Sequence, residues 1–172
     1  MNQPKKQSKK RLAFWGLSGL FIFGGCSVVA GIAQQSFEEQ ADKARESEAK
    51  TYVGSILRGQ QAHRLESEQF TDNLQQLGIG IPEETDNYSY TIALPDPSGQ
   101  TAIVTAMAKL PELRSFTGAA YATIDAQGKF IITVTGTCIG DIPKQTPPPA
   151  PELTQTGDQF DVVCAAESRV AE

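Results

Sequence analysis

Between Ser36 and Ser67 the chain reads SFEEQADKARESEAKTYVGSILRGQQAHRLES, a stretch rich in the helix-forming residues Ala, Glu, Gln, Lys and Arg. Its apolar residues recur at i, i+3, i+4, i+7 and i+8, which places them on one face of an α-helix: Ala49, Tyr52, Val53, Ile56 and Leu57. Glu46, Lys50 and Arg58 lie off this apolar stripe. Glu46 and Lys50 have the order of a favourable i,i+4 ion pair, and we expect both on a solvated face.

Downstream of this helix the hydrophobic period changes to that of strands. A short helical turn is predicted from Leu74 to Leu77, before Gly78. Runs of β-branched and aromatic residues follow, separated by Pro, Gly and Asp turns, at residues 88–94, 101–109, 115–124 and 129–137. These runs predict a four-stranded antiparallel meander. If the apolar stripe of the helix packs on the apolar face of this sheet, the result is an α+β fold.

The segment before the helix is apolar over residues 12–33, LAFWGLSGLFIFGGCSVVAGIA, without a formal charge. A helix needs about 20 such residues to cross a bilayer, so we predict a transmembrane helix here. Residues 1–11 carry five basic side chains and no acid. The positive-inside rule therefore predicts a cytoplasmic N-terminus and places the chain beyond residue 36 on the far side of the membrane.

Two other interpretations of this apolar segment stay open. It could be a cleaved secretory signal, or a lipoprotein signal in which Gly24 and Gly25 precede a lipid-modified Cys26. If it spans the membrane, small residues allow neighbouring helices to approach closely, namely Gly16, Gly19, Gly24 and Gly25. Alternatively, these glycines have no packing role, because a membrane helix tolerates glycine.

The C-terminal part is marked by proline and cysteine. Five of the ten prolines fall between Pro143 and Pro151, and we expect a stiff surface connection there. Cys138 and Cys164 flank it and are the only cysteines beyond the apolar segment. On the oxidising side of the membrane we predict that they form a disulfide, which stabilises the fold by roughly 3 to 4 kcal/mol.

Composition and motifs disfavour several classes of function. The 172 residues suffice for one compact domain with an anchor, and the chain after residue 11 has 20 acidic and ten basic side chains. Such an acidic body disfavours nucleic-acid binding. His63 is the only histidine, and the sequence contains no phosphate loop, HExxH or CxxC motif. We therefore predict a non-enzymatic protein with no cofactor, no metal and no small-molecule substrate.

The succession of basic tail, membrane helix, amphipathic extension, antiparallel sheet and disulfide loop resembles type IV pilins and pseudopilins. Residues 47–61, SEAKTYVGSILRGQQ, followed by Phe70 and by NLQQLG at 73–78, are similar to pilin-like proteins of the general secretion G/H type common in cyanobacteria. The resemblance implies a pilin-like fold and a minor or accessory role in a type IV pilus or type II secretion-like system. The implied partners are membrane lipid and other membrane-protein helices.

The first half of the span departs from the family's processing motif. Prepilin peptidase cuts between a Gly and a Phe, and a Glu follows further along. Alignment puts this cut between Ala13 and Phe14 and puts Ser18 in the place of the Glu. We regard this as a degenerate processing site and expect the chain to be unprocessed. The missing carboxylate favours an alternative role, as a pilin-fold subunit or assembly factor of another bioenergetic or envelope complex.

This interpretation places the protein in a plasma or thylakoid membrane, with its C-terminal part in the periplasm or lumen. It divides the chain into five segments. They are a cytoplasmic tail (1–11), a transmembrane helix (12–33), an amphipathic extension (34–67), an α/β loop with the sheet (68–137), and a proline-rich disulfide loop and tail (138–172).

Overall fold

A computed structural model describes residues 22–125, 127–157 and 159–171. The chain divides into two compact units, residues 1–40 and 41–172, and we call the second unit the head. Helix α1 extends over Ile22–Ser67, and a short 3-10 helix follows at Leu74–Leu77. The strands are β1 Tyr88–Ala93, β2 Thr101–Ala108, β3 Phe116–Ile124, β4 Phe130–Gly140, β5 Glu152–Thr156, β6 Gln159–Val163 and β7 Ser168–Val170.

In the head, the apolar stripe of α1 packs on one face of the sheet, as predicted. Its aliphatic members Ala49, Val53, Ile56 and Leu57 are buried together with side chains of β1, β2 and β3. The contact is closest at Gly118 of β3, where an added Cβ would lie 2.8 Å from Val53 Cγ1 and 2.9 Å from Leu57 Cδ1. Only glycine leaves room for the helix at this distance from the strand.

The main sheet has five antiparallel strands in the order β1-β2-β3-β4-β7. The prediction of four strands was therefore wrong by one. The last strand, β7, pairs with the end of β4 through the register Cys138↔Val170 and Gly140↔Ser168. The C-terminal segment satisfies backbone groups that would otherwise be unpaired along the β4 edge, which explains why a short strand forms there.

The opposite face of the sheet is covered by the C-terminal segment. Strands β5 and β6 form a hairpin, and an added Cβ at Gly136 of β4 would lie 2.6 Å from Val162 Cγ1. Within the proline-rich stretch, the Pro148 carbonyl accepts a 2.7 Å hydrogen bond from the Thr117 hydroxyl. The Pro151 carbonyl accepts one from the Tyr121 hydroxyl, and Pro151 is fully buried. Residues 143–150 are exposed or half-buried, as expected for a surface connection, and the hydrogen bonds and the buried Pro151 anchor this connection to β3.

The disulfide predicted between Cys138 and Cys164 is present, with 5.7 Å between the two Cα atoms. Cys138 lies on β4 and is buried, and Cys164 follows directly after β6. The bridge therefore connects the end of the hairpin to the main sheet.

Several predictions fall on the N-terminal segment. The processing residues Ala13, Phe14 and Ser18 and the glycines Gly16 and Gly19 lie outside the described residues. Gly24, Gly25 and Cys26 belong to the described backbone of α1. In the part of the chain from residue 22 onward that the structure describes, no helix reaches both the length and the apolar character of a membrane span.

Candidate functional site: a basic groove on the head

A groove of about 480 Å³ lies on the head, between the first turns of α1 within the head and the edge of the sheet formed by β4 and β7. Its basic lining residues are Lys43, Lys50, Arg114 and Arg169. Glu46 is the one acidic residue among the described lining residues, and Phe116, Ile139 and Val170 supply apolar surface. A groove of this size lies within the range of about 300–1,000 Å³ that is typical of ligand sites.

Glu46 forms an ion pair with Arg114 beneath this surface. The carboxylate Oε1 accepts hydrogen bonds from the Arg114 backbone N–H at 3.0 Å and from Nε at 2.9 Å, and Oε2 accepts one from the guanidinium Nη2. Only 8% of Glu46 is exposed. Hydrogen bonding to Glu46 raises the pKa of the Arg114 guanidinium. Charge-assisted bonds of this number and geometry hold both side chains in one arrangement.

The expectation that Glu46 would pair with Lys50 on a solvated face was wrong. Its partner instead lies 68 residues further along the chain, in the segment before β3. The i,i+4 rule compares only residues on the same helix, so it could not reveal a competing arginine from the segment before β3. Arg114 itself carries no sequence signal beyond its position after a proline-containing turn.

The segment carrying Arg114 is fixed by its neighbours. Leu113 is fully buried, and its carbonyl accepts a 3.1 Å hydrogen bond from the Lys144 N–H. The Ser115 hydroxyl accepts from the Ala108 N–H at 3.0 Å and donates to the Lys144 carbonyl at 2.7 Å. These contacts join the turn before β3 to β2 and to the start of the proline-rich stretch, and they position the guanidinium over Glu46.

The remaining charges leave the groove positive. Arg169 Nη1 lies 2.9 Å from Asp141 Oδ1, and both side chains are about half exposed. Lys50 has no hydrogen bond or ion pair to any residue that the structure describes. With Glu46 paired to Arg114 and Asp141 paired to Arg169, Lys50 gives this groove a local charge opposite to that of the acidic body. Such a local potential attracts anions.

The described residues form no other obvious chemical site. His63 is partly buried on α1, and no group of three or more His, Cys, Asp or Glu side chains between residues 22 and 171, as far as these are described, is placed to hold a metal ion. Glu84, in the acidic loop 83–86, pairs with Lys109 Nζ at 2.9 Å. Sequence reasoning identified the two disulfide cysteines but did not identify the groove.

A family model described as type IV pilin-like G and H matches residues 46–165. This range contains the apolar stripe from Ala49 onward, strands β1 to β6 and both disulfide cysteines. The chain belongs to this pilin-like family. Within the pilin-like head, Glu46, Lys50 and Arg114 lie inside the matched range, whereas Lys43 and Arg169 lie outside it. No curated protein and no solved structure shows a significant match to the chain.

Proposed function

We propose that this pilin-like protein is a non-enzymatic, single-pass membrane-anchored subunit, a minor or accessory component of a type IV pilus or a type II secretion-like system. The observation that carries the proposal is the family match over residues 46–165, because it covers most of the head. Pilin-like proteins are structural subunits that assemble with other pilins or pseudopilins. The buried helix stripe and the two-sided cover of the sheet are consistent with a rigid head that presents its surface to partners.

In this proposal residues 12–33 cross the membrane, residues 1–11 remain in the cytoplasm, and the head lies in the periplasm or the thylakoid lumen. The charge-free segment and its basic flank support this topology. The disulfide between Cys138 and Cys164 also supports it, since such bonds persist in oxidising compartments. Gly16, Gly19, Gly24 and Gly25 would allow close contact with other membrane helices.

A second candidate is a pilin-fold subunit or assembly factor of another membrane complex. The sequence observation that favours it is Ser18, which replaces a membrane-embedded acid, and no acidic residue precedes Glu38. A buried carboxylate in a filament is compensated by a cation of the neighbouring subunit, and a serine cannot form that pair. An anchored subunit outside a filament does not need it.

Intact-mass analysis of the protein from its native membranes tests the processing. Loss of 13 residues supports a processed pilus subunit, because the cut would fall after Ala13. An unshortened chain supports the anchored subunit. A diacylglycerol-modified chain that begins at Cys26 supports a lipoprotein and contradicts the transmembrane anchor.

Crosslinking in intact cells, followed by purification from gently solubilised membranes, tests the assembly. Recovery of pilus or secretion-system subunits supports the first proposal, and recovery of a different membrane complex supports the second. Protease added to sealed right-side-out vesicles should remove the head. If the head is cleaved only after detergent is added, the proposed topology is wrong.

A further inference from the structure

We propose that the basic groove binds an extended acidic segment of a partner protein, which lies beside β7 with its carboxylates directed to the lysines of α1. The inference rests on the proposed function in one respect, that the head contacts partner proteins. It adds the place of the contact and the chemistry of the segment that makes it.

Charge is the first reason for an acidic occupant. Lys50 lies on α1 at one side of the groove, and Arg169, which pairs with Asp141, lies on β7 at the other. The only acid among the described lining residues, Glu46, is already neutralised by Arg114. Lys50 is half-buried and has no partner among the described residues, so an incoming carboxylate gains a cation that no internal acid competes for.

The backbone edge is the second reason, and it favours a peptide. Strand β7 is the last strand of the five-stranded sheet, and its outer edge pairs with no described strand. An edge of this kind offers N–H and C=O groups to an added strand. Arg169 and Val170 of β7 line the groove, as does Ala171, whose own N–H donates to the Thr137 carbonyl of β4. The alternation of an antiparallel ladder therefore leaves the backbone groups of Ser168 and Val170 on the outer edge. A peptide beside β7 would therefore form main-chain hydrogen bonds while its side chains reach the lysines.

The apolar surface of the groove is the third reason. Phe116 and Ile139 form an apolar floor and are almost fully buried there. In an extended segment, alternate side chains point to opposite sides. A sequence that alternates acidic and apolar residues can therefore direct its carboxylates to the basic side chains and its apolar side chains to the floor of the groove. A lipid phosphate would use the cations alone. The fork of Arg114, which suits phosphate best, is already occupied by Glu46.

The experiment measures binding of a fluorescein-labelled peptide of alternating Glu and Val to the full-length chain in neutral detergent, by fluorescence anisotropy. We expect saturable binding that weakens as salt is raised. A peptide with Gln for every Glu should bind at least roughly tenfold more weakly, since several charge pairs are lost at once. N-methylation of alternate peptide residues should also abolish binding, because it removes the main-chain donors.

Lys50→Gln tests the groove directly, with Lys129→Gln as its matched control. Lys129 is exposed in the β3–β4 turn and does not line the groove. We expect Lys50→Gln to weaken binding about two- to fivefold and Lys50→Glu to weaken it further, while Lys129→Gln leaves it unchanged. Neither lysine has a described ion pair to lose, so both variants should fold.

Three results would overturn the inference. They are equal binding of the Glu and Gln peptides, equal loss in Lys50→Gln and Lys129→Gln, and binding of short-chain phosphatidylglycerol in place of the peptide. The last result would mark a lipid site. Failure of the proposed function is distinguishable, since a chain that binds the peptide but crosslinks to no partner in cells contradicts that function alone. A Lys50→Glu chain that still crosslinks to all of its partners contradicts the groove alone.

Discussion

Both carboxylate oxygens of Glu46 accept hydrogen bonds from Arg114, and one of them also accepts the Arg114 backbone N–H at 3.0 Å. Glu46 lies on α1 and Arg114 lies in the segment before β3, so the pair connects the helix to the sheet at the groove. The Arg114 carbonyl accepts a 3.0 Å hydrogen bond from the Tyr88 hydroxyl, which extends the connection to β1.

Glu46→Gln should lower the free energy of unfolding of the head by about 1–3 kcal/mol, because the amide cannot satisfy the guanidinium and the N–H as the carboxylate does. Urea unfolding followed by circular dichroism measures the change. A double-mutant cycle with Arg114→Gln should give a coupling energy of about 0.5–3 kcal/mol. Glu84→Gln is the control, since Glu84 is 71% exposed where it pairs with Lys109, and such pairs contribute about 1 kcal/mol or less. Equal losses in the two variants would contradict a special role for Glu46.

Gly118→Ala should destabilise the head by about 1–3 kcal/mol, because the new methyl group would overlap Val53 and Leu57 of the helix stripe. Thermal unfolding checks this. Gly54→Ala is the matched control on α1, where an added Cβ meets only the Arg58 guanidinium at 3.9 Å. It should stabilise the helix by up to about 1 kcal/mol, the propensity difference between the two residues. A neutral Gly118→Ala variant would show that helix and sheet do not pack this closely.

Alkaline pH should destabilise the head through Tyr88 and Tyr90. Burial raises the pKa of both phenols above the ordinary value of 10.0, with nearby acids, Glu46 for Tyr88 and Glu48 for Tyr90, adding to the effect. Above pH 10 the unfolded chain loses these protons while the folded head retains them. The contribution of the two phenols to the unfolding free energy is therefore constant below about pH 10 and falls above it.

Absorbance of the phenolate measures this titration. We expect part of the signal from the four tyrosines to appear only when circular dichroism reports unfolding. The Tyr88→Phe, Tyr90→Phe double variant should show a shallower loss of stability with pH. Ionisation of all four tyrosines in a single phase near pH 10, with the fold intact, is the result that would contradict the burial of these phenols.

Replacing Cys138 and Cys164 by Ala should lower stability by about 2–5 kcal/mol, since the bond closes a loop with a sequence separation of 26 residues. Reduction of the native chain should produce a similar shift in the urea midpoint, and reduction of the double variant should produce none. The hairpin β5–β6 should become the first site of proteolysis, because the bridge ties its end to β4. A native chain that is insensitive to reductant would contradict this role.

Three of the four predicted strands were located to within one residue at each end, and the fourth, β4, extends three residues beyond its predicted end. The predicted runs 88–94, 101–109, 115–124 and 129–137 correspond to β1 Tyr88–Ala93, β2 Thr101–Ala108, β3 Phe116–Ile124 and β4 Phe130–Gly140. Each run is long, rich in β-branched or aromatic residues and bounded by turn residues, so local preferences and tertiary packing agree there.

The C-terminal strands were missed because the prolines and cysteines dominated the interpretation of residues 138–172. A signal for the hairpin exists in the sequence, since ELTQT and QFDVV flank Gly157 and Asp158, a dipeptide suited to a tight turn. Strand β7 has only three residues and no recognisable pattern of its own. It forms because β4 presents a backbone edge beside it, which is information that a local window does not contain.

Periodic hydrophobicity was enough to predict the helix with one apolar stripe and the antiparallel strands, because each depends on residues close in sequence. The pairing of Cys138 and Cys164 followed from their being the only cysteines beyond the apolar segment, in a compartment predicted to be oxidising. The partner of Glu46, the cover on the reverse face of the sheet and the basic groove depend on residues far apart in the chain, such as Glu46 and Arg114 with a sequence separation of 68. Which charges meet there is set by how the helix and the strand edges pack, and that arrangement exists only once the chain has folded.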